Sequence, residues 1–461
     1  MAVLVVALVV TGLPTQASAA QGPVYEIDQA QVDKTVADVE KETGQAVLSG
    51  EIAGAAWIAQ IPEKWNGDLV IYAHGYRGEG TELTVDPPPA YQFLTDAGYA
   101  WAASSYRRNS YDPGIGVIDT KNITRKMQQM LRGMGDLDKT YLTGFSMGGH
   151  VTAAAIEKYP HLYDGAMPAC GVMGDVELFD YFLDYNVGAA AIAGLAPDYE
   201  YPDLDWTNTT VPDIREALSS SPNGEWAGGF PQIFGLPSPL TEAGQAFKDF
   251  VEIGSGGERV TFDTAWNYWH GLPVDPDNPE PSGNFFFNLG EGDGTIANRG
   301  GIVSQNSDMS YLDEYGFDID DDVVRITAAK RVRNAKGNKP APIIEGKPSI
   351  PVLSIHTTGD LFVPIEMQQV YAREVLDNGR GDLLVQRAIR DVGHCTFTGP
   401  ELVQSYLDLF AWVETGVKPA GEDLIGDISS PNLGCDFTIG TTPADGSFFR
   451  GALEPCPEES S

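Results

Sequence analysis

Short apolar runs separated by amphipathic stretches place the strongest constraint on this chain. The runs "DLVIYAHG" (68–75), "YAWAASSY" (99–106), "KTYLTGFS" (139–146) and "YDGAMPACG" (163–171) alternate with the helical patterns "PAYQFLTDAG", "DTKNITRKMQQMLRGMG" and "GGHVTAAAIEKY". A strand that is apolar along its whole length is buried on both faces, and the helices between strands supply that cover. The rhythm therefore predicts an α/β chain with a doubly wound, mostly parallel sheet. It stops after Gly171 and resumes with the strand "IPVLSIHTTGD" (350–360), the helix "PIEMQQVYAREVLDNG", the strand "DLLVQRAIRDVGH" and the helix "PELVQSYLDLFAWVETG". The intervening stretch is rich in aromatic residues, Pro and Gly and shows little periodicity. A long interruption inside a wound sheet reads as an inserted cap or lid. The expected organisation is a leader over 1–20, a core over 21–171 and 348–420, a cap over 172–347 and a tail over 421–461. Residues 24–60 are mixed and hold one helical stretch, "DQAQVDKTVADVEKETG".

The leader carries an apolar stretch from Val3 to Val10 and then Ala17-Ser18-Ala19, a small-x-small cleavage pattern. It reads as a signal peptide that lacks the usual basic start; the alternative is a buried N-terminal helix. The stretch is too short to span a bilayer and no other segment is long enough, so the expectation is an exported chain, secreted or periplasmic, without a stable membrane span. The 29 Lys and Arg stand against 65 Asp and Glu, a net charge of −36. That balance excludes nucleic acid, whose phosphates need a basic face. It names no substrate and fixes no oligomeric state.

The chain has four cysteines, Cys170, Cys395, Cys435 and Cys456. None forms a C-x-x-C pair, so no metal site is expected from them. In an exported chain an even number points to two disulfides. Proximity pairs Cys435 with Cys456 and closes the tail. Cys170 and Cys395 then form a second bridge or stay as two buried thiols.

Chemistry is concentrated where the third run meets its helix. Gly144-Phe145-Ser146-Met147-Gly148 fits G-x-S-x-G with a strand before it and a helix after it. So sharp a turn strains the serine backbone, and glycines two residues to either side remove side chains that would collide. A serine hydroxyl is a weak nucleophile and needs a base held by an acid. Of the six histidines, His150 and His161 read as packing or surface residues, His270 as cap packing and His356 as a core residue in a strand. His394 follows a strand and opens the loop "DVGHCTFTGPE", from which it can lean over a serine at the sheet edge. Asp360 ends the strand before it; Asp391, three residues ahead of His394, is the rival acid. The chain order Ser146, Asp360, His394 is nucleophile, acid, base. Backbone amides of Met147 and Tyr76, less favourably Gly75, are the expected oxyanion donors. His74 would brace their loop.

These motifs, "GFSMGG", "HGYRG", "HTTGDLFVP" and "GHCTFT", together resemble the α/β-hydrolase superfamily, and more narrowly exported bacterial serine esterases with a large cap. The likeness covers about 68–171 and 348–416, and the cap contributes no matching motif. It implies Ser146 as nucleophile, Asp360 as acid and His394 as base, with no cofactor. Tannase and feruloyl-esterase relatives tie the residue before the serine to the residue after the histidine by a disulfide. Here Cys395 follows His394, but Phe145 precedes Ser146. The resemblance then offers Cys170 as the other end of an equivalent tether.

The expected activity is hydrolysis of a small-molecule or polymeric carboxylic ester through an acyl-enzyme. The same scaffold leaves open an exported peptidase or amidase, and a binding protein without turnover. Phe179, Tyr181, Phe182, Trp266, Tyr268, Trp269 and Phe285 to Phe287 either line a substrate pocket or form the cap's own core. Asp318, Asp320, Asp321 and Asp322 lack the spacing of a calcium loop and read as a solvated acidic face. The basic stretch 329–339 reads as a solvated helix end.

Overall fold

The structure, a computed structural model, describes residues 23–195, 209–221, 239–270, 285–288, 302–330, 332–333, 341–440 and 449–457. The expected leader lies outside them. The strands are β1 (Glu26–Ile27), β2 (Val47–Ile52), β3 (Ala55–Gln60), β4 (Leu69–Ala73), β5 (Glu82–Leu83), β6 (Ala100–Ser104), β7 (Thr140–Phe145), β8 (Gly165–Ala169), β9 (Val352–Thr357) and β10 (Leu384–Ile389). The helices are α1 (Gln29–Thr43), α2 (Tyr91–Asp96), α3 (Pro113–Arg132), α4 (Met147–Lys158), α5 (Glu177–Ile192), α6 (Val211–Leu218), α7 (Glu242–Gly254), α8 (Phe262–Trp269), α9 (Phe285–Asn288), α10 (Tyr311–Tyr315), α11 (Glu366–Asp377) and α12 (Gly399–Thr415).

Eight strands form one sheet in the order β10-β9-β8-β7-β4-β6-β3-β2. β3 runs antiparallel to both its neighbours, β2 and β6. The other neighbouring pairs are parallel. The doubly wound, mostly parallel sheet expected from the apolar rhythm is therefore present. The run "LVIYA" of β4 shows how it is covered, because every residue in it is buried. Leu69 and Ile71 pack on one face with Val117 and Met127 of α3, Val151 of α4 and Tyr371 of α11. Val70 and Tyr72 pack on the other with Val39 of α1, Leu94 of α2 and Phe410 of α12. Successive strand residues point to opposite faces, so an unbroken apolar run feeds both layers.

The sheet is interrupted between Ala169 and Val352, and helices α5 to α10 fall in that interval. They share an apolar cluster built on Tyr185, Phe247, Phe250 and Trp266, which also takes in Leu361 and Val392 from the loops after β9 and β10. Burial pushes the Asp184 carboxyl up to about 7, and it accepts from Tyr311 Oη at 2.6 Å and Tyr315 Oη at 2.9 Å. The two ends of the interval are stitched together: Asp175 Oδ2 accepts the Ile344 amide at 2.8 Å, and Glu157 of α4 accepts the amides of Glu345 and Lys347 at 2.9 and 2.7 Å.

Two surface expectations need correction. Asp318, Asp321 and Asp322 are exposed, as a solvated acidic face expects, but Asp320 is half-buried: it accepts the Tyr311 amide at 2.9 Å, satisfying a free N–H of α10, and pairs with Arg325 at 2.6 Å. The described part of 329–339 is not helical, and Arg333 is mostly buried against Asp180 at 2.5 Å. Arg333 and Asp180 stand 153 residues apart, a pairing that charge counting along the chain could not foresee. Both disulfides are present, Cys170–Cys395 and Cys435–Cys456.

Candidate active site

Ser146 stands between β7 and α4 with φ 58° and ψ −124°, a conformation costly for any residue with a side chain. The surrounding backbone enforces it. Its amide donates to Ala169 O on β8 at 3.1 Å, and its carbonyl accepts the Gly149 amide at 2.8 Å. A Cβ at Gly148 would sit 2.0 Å from Ala73 O, so the start of α4 can approach β4 only as glycine. Gly75 has a second role: a Cβ there would lie 3.1 Å from Ser146 Cβ, which places the loop after β4 against the serine.

Asp360 follows β9 and is fully buried. Its Oδ1 accepts the amides of Phe362 at 2.9 Å and Val363 at 3.0 Å, which fixes the carboxylate and leaves Oδ2 for His394 Nδ1 at 2.5 Å. His394 Nε2 lies 2.8 Å from Ser146 Oγ. Because the carboxylate only accepts, Nδ1 carries the proton and Nε2 is free to accept from the serine hydroxyl. The three residues expected from chain order are thus brought into one hydrogen-bonded line, and Ser146 and His394 keep partial access to solvent. Such a line can move a proton from a hydroxyl to an imidazole and hold the resulting cation.

Two features lock the histidine loop. Cys395 is bonded to Cys170 at the end of β8, the tether offered by the resemblance. Thr357 Oγ1 donates to Gly393 O at 2.7 Å. Asp391, the rival acid, faces elsewhere: its Oδ1 accepts the Val392 amide at 2.7 Å and its Oδ2 accepts Arg450 Nε at 2.8 Å.

Sheet order and elbow together are decisive. Antiparallel β3 lies beside a parallel block, the serine turn follows the central strand β7, and acid and histidine follow the next two strands in chain order beyond β8. The chain has the α/β-hydrolase fold. No protein-family model matches it. Among curated proteins it is 22% identical over 433 residues to an o-phthalyl amidase of Xanthobacter agilis, covering 83% of this chain and 91% of that protein. Similar solved structures include an Aspergillus oryzae esterase, 14% identical, covering 81% of this chain and 80% of that one at a TM-score of 0.37. Candida antarctica lipase A in its closed state is 14% identical, with 90% and 88% covered and a TM-score of 0.39. A Pyrococcus horikoshii acylaminoacyl peptidase is 11% identical, with 84% and 44% covered and a TM-score of 0.39.

In this fold the remaining histidines sit where the sequence reading put them, mostly as packing. His74 stacks on Tyr106 with ring centroids 3.9 Å apart, and burial, reinforced by Arg77, holds its pKa well below the usual imidazole value. Burial also lowers His150 and His356 to about 4. His150 contacts Tyr111 Oη at 3.0 Å and Pro342 O at 2.6 Å. His270 is buried against Trp266. Among the described residues, the single grouping with metal-ligand spacing is Cys170, His394 and Cys395, and its two sulfurs are already joined to each other.

The aromatic residues divide. Tyr181, Phe182, Trp266, Trp269, Phe286 and Phe287 are buried, Phe179 and Tyr268 are half-buried, and the side chain of Phe285 lies outside the described residues. A chain of ring contacts runs from Tyr111 through Phe179, Phe182 and Phe362 to the edge of His394, each step 5.0 to 6.0 Å between centroids. The sequence reading did not single out Phe362 or Tyr111. Nor did it find Trp269 in its actual role, donating to the loops that carry Asp360 and His394.

Proposed function

We propose that this α/β-hydrolase is a serine hydrolase that cleaves a carboxylic acid derivative through an acyl-enzyme. The observation that carries the reading is the line Ser146 Oγ, His394 Nε2, His394 Nδ1 and Asp360 Oδ2, with separations of 2.8 and 2.5 Å. Ser146 Oγ attacks the substrate carbonyl while His394 Nε2 takes its proton. Asp360 holds the imidazolium, which then protonates the leaving group. Water repeats the sequence on the acyl-serine and regenerates the enzyme. The amide of Met147, the first residue of α4, and that of Tyr76 serve as oxyanion donors, with the helix N-terminus adding to their field.

Carboxylic esters are the first substrate class in this reading, and the ring chain ending at Phe362 suits an aromatic acyl or leaving group. The segment between β8 and β9 acts as a cap over that face. The protein works outside the cytoplasm, where its two disulfides persist. A second reading, amide cleavage, is favoured by the likeness to the o-phthalyl amidase.

Matched benzoyl substrates decide between the two: the p-nitrophenyl ester and the p-nitroanilide, each with the wild type and Ser146→Ala. The ester reading expects turnover of the ester alone, abolished in the variant. Comparable turnover of the anilide would make the protein an amidase. Turnover of either substrate that survives in Ser146→Ala would contradict both readings.

A further inference from the structure

The C-terminal tail reaches back to the histidine loop through one buried arginine. Arg450 is 7% exposed, and its guanidinium is fully used. Nε donates to Asp391 Oδ2 at 2.8 Å, Nη1 to Glu401 Oε1 at 2.6 Å and Gly440 O at 3.2 Å, and Nη2 to Thr396 O at 2.9 Å and Glu401 Oε2 at 3.3 Å. These partners bracket His394: Asp391 stands three residues before it, Thr396 two residues after it, and Glu401 begins the helix that follows. Both carboxylates are bound to the backbone as well. Asp391 Oδ1 accepts the amides of Val392 and Gly393 at 2.7 and 3.3 Å, and Glu401 Oε2 accepts the Thr398 amide at 2.7 Å.

We infer that Arg450 is a positioning residue for catalysis, holding both arms of the His394 loop so that the imidazole stays between Asp360 and Ser146. The inference rests on the triad reading above. A buried ion pair gains little stability over a well-packed apolar replacement, because desolvation offsets most of the attraction; what it does supply is a fixed geometry. A planar fork with five donors on three nitrogens is suited to a loop that must not drift. The tail is itself held: Cys435–Cys456 closes it, Arg390 Nη1 lies 3.1 Å from each sulfur, and Phe449 packs on Tyr268 of α8 with centroids 4.7 Å apart.

The test compares the wild type, Arg450→Lys and Arg450→Met. Three quantities are measured: thermal melting, the rate of labelling by a fluorophosphonate, and kcat and KM on a p-nitrophenyl ester. Displacing a catalytic group by about 1 Å costs up to about 100-fold in rate. The expected result is folded variants with KM within about twofold of wild type, and with labelling rate and kcat falling by about 10- to 100-fold in the Met variant. Lysine keeps the charge but loses the fork, so it should fall between. If the Met variant does not fold, the Lys variant decides by the same readings. Folded variants that label and turn over within twofold of a reactive wild type would overturn the role of Arg450 and leave the hydrolase reading intact. A wild type that neither labels nor turns over would instead remove the hydrolase reading, and this inference with it.

Discussion

The indole nitrogen of Trp269 donates to the carbonyl of Val392 at 2.7 Å, and the same N–H is shared with Gly359 O at 2.9 Å. One donor at the end of α8 therefore ties the residue before Asp360 to the loop that carries His394. Two further bonds dock the same segment beside β9: Arg259 Nε donates to Thr358 O at 2.6 Å, and Thr261 Oγ1 to Thr358 Oγ1 at 3.0 Å. The helices between β8 and β9 thus rest directly on the loops that hold Asp360 and His394.

Trp269→Phe keeps an aromatic ring and removes that donor. Two buried carbonyls lose a partner, at a cost of about 1 to 3 kcal/mol, and the two loops lose their common anchor. We expect a lower melting temperature together with a fall in kcat of about tenfold, with KM little changed. Steady-state kinetics beside a thermal melt checks both parts; unchanged kcat in a folded variant would mean that the loops hold their own geometry.

Gly148→Ala should be far more damaging than its single methyl suggests. The added carbon would meet Ala73 O at 2.0 Å, backbone against backbone, with no flexible side chain to yield. The loss should reach or exceed the roughly 1 to 3 kcal/mol typical of overpacking. Gly80→Ala is the control, since nothing lies within 4 Å of a Cβ there, and it should change stability by less than about 0.5 kcal/mol. Chemical denaturation of both variants tests the contrast.

Stability should fall as pH rises from about 6 to 7.5. Burial raises the carboxyls of Asp175 and Asp184 to about 7, so in this window the fold retains protons that the unfolded chain has released. The unfolded state then binds fewer protons than the native one, and unfolding is favoured as protons are withdrawn. Between about pH 4 and 6.5 the buried His150 and His356, lowered to about 4, work in the opposite sense, because the unfolded chain gains protons that the fold refuses, and there they largely offset the two carboxyls. Melting temperatures should therefore change little at the acid end of pH 5 to 8.5, where the two pairs offset one another, and fall from about pH 6 to 7.5, and Asp184→Asn should flatten that fall. A slope that is the same in Asp184→Asn would assign the effect to other groups.

The Cys170–Cys395 bridge closes a separation of 225 residues, for which chain entropy suggests about 5 kcal/mol as an upper measure of its stabilisation. Replacing both cysteines by serine should lower the melting temperature, and it should lower kcat as well, because Cys395 adjoins His394. A loss of stability with kcat intact would confine the bridge to a structural role.

The parts of this fold that could be read from sequence are those where one residue pattern has one physical cause. The apolar runs of β4, β6, β7, β8, β9 and β10 read as strands because burial on both faces leaves no polar alternation. Ser146, Asp360 and His394 could be named because each stands at the end of such a run. The β2–β3 hairpin was missed in the mixed stretch 24–60: β2 lies at the sheet edge with mostly exposed residues, so "VLSGEI" carries little apolar signal. Arg450, Trp269 and Phe362 were illegible for another reason. Arg450 and Trp269 act on carbonyls and carboxylates far away in sequence, and Phe362 stands two residues after Asp360 but meets the His394 ring in a T-shaped contact. No local pattern records those contacts.

The most direct measurement is the site of covalent labelling. The purified protein is treated with a fluorophosphonate, digested, and its peptides are analysed by mass spectrometry beside Ser146→Ala and His394→Ala. A serine activated by the line from Asp360 through His394 should carry the label on the peptide containing Ser146 in the wild type. Ser146→Ala should carry none, and in His394→Ala labelling should be slower by about 1,000-fold or more, in keeping with the loss of a triad base. A label on any other residue, or labelling of Ser146 at an undiminished rate without His394, would contradict the proposed mechanism.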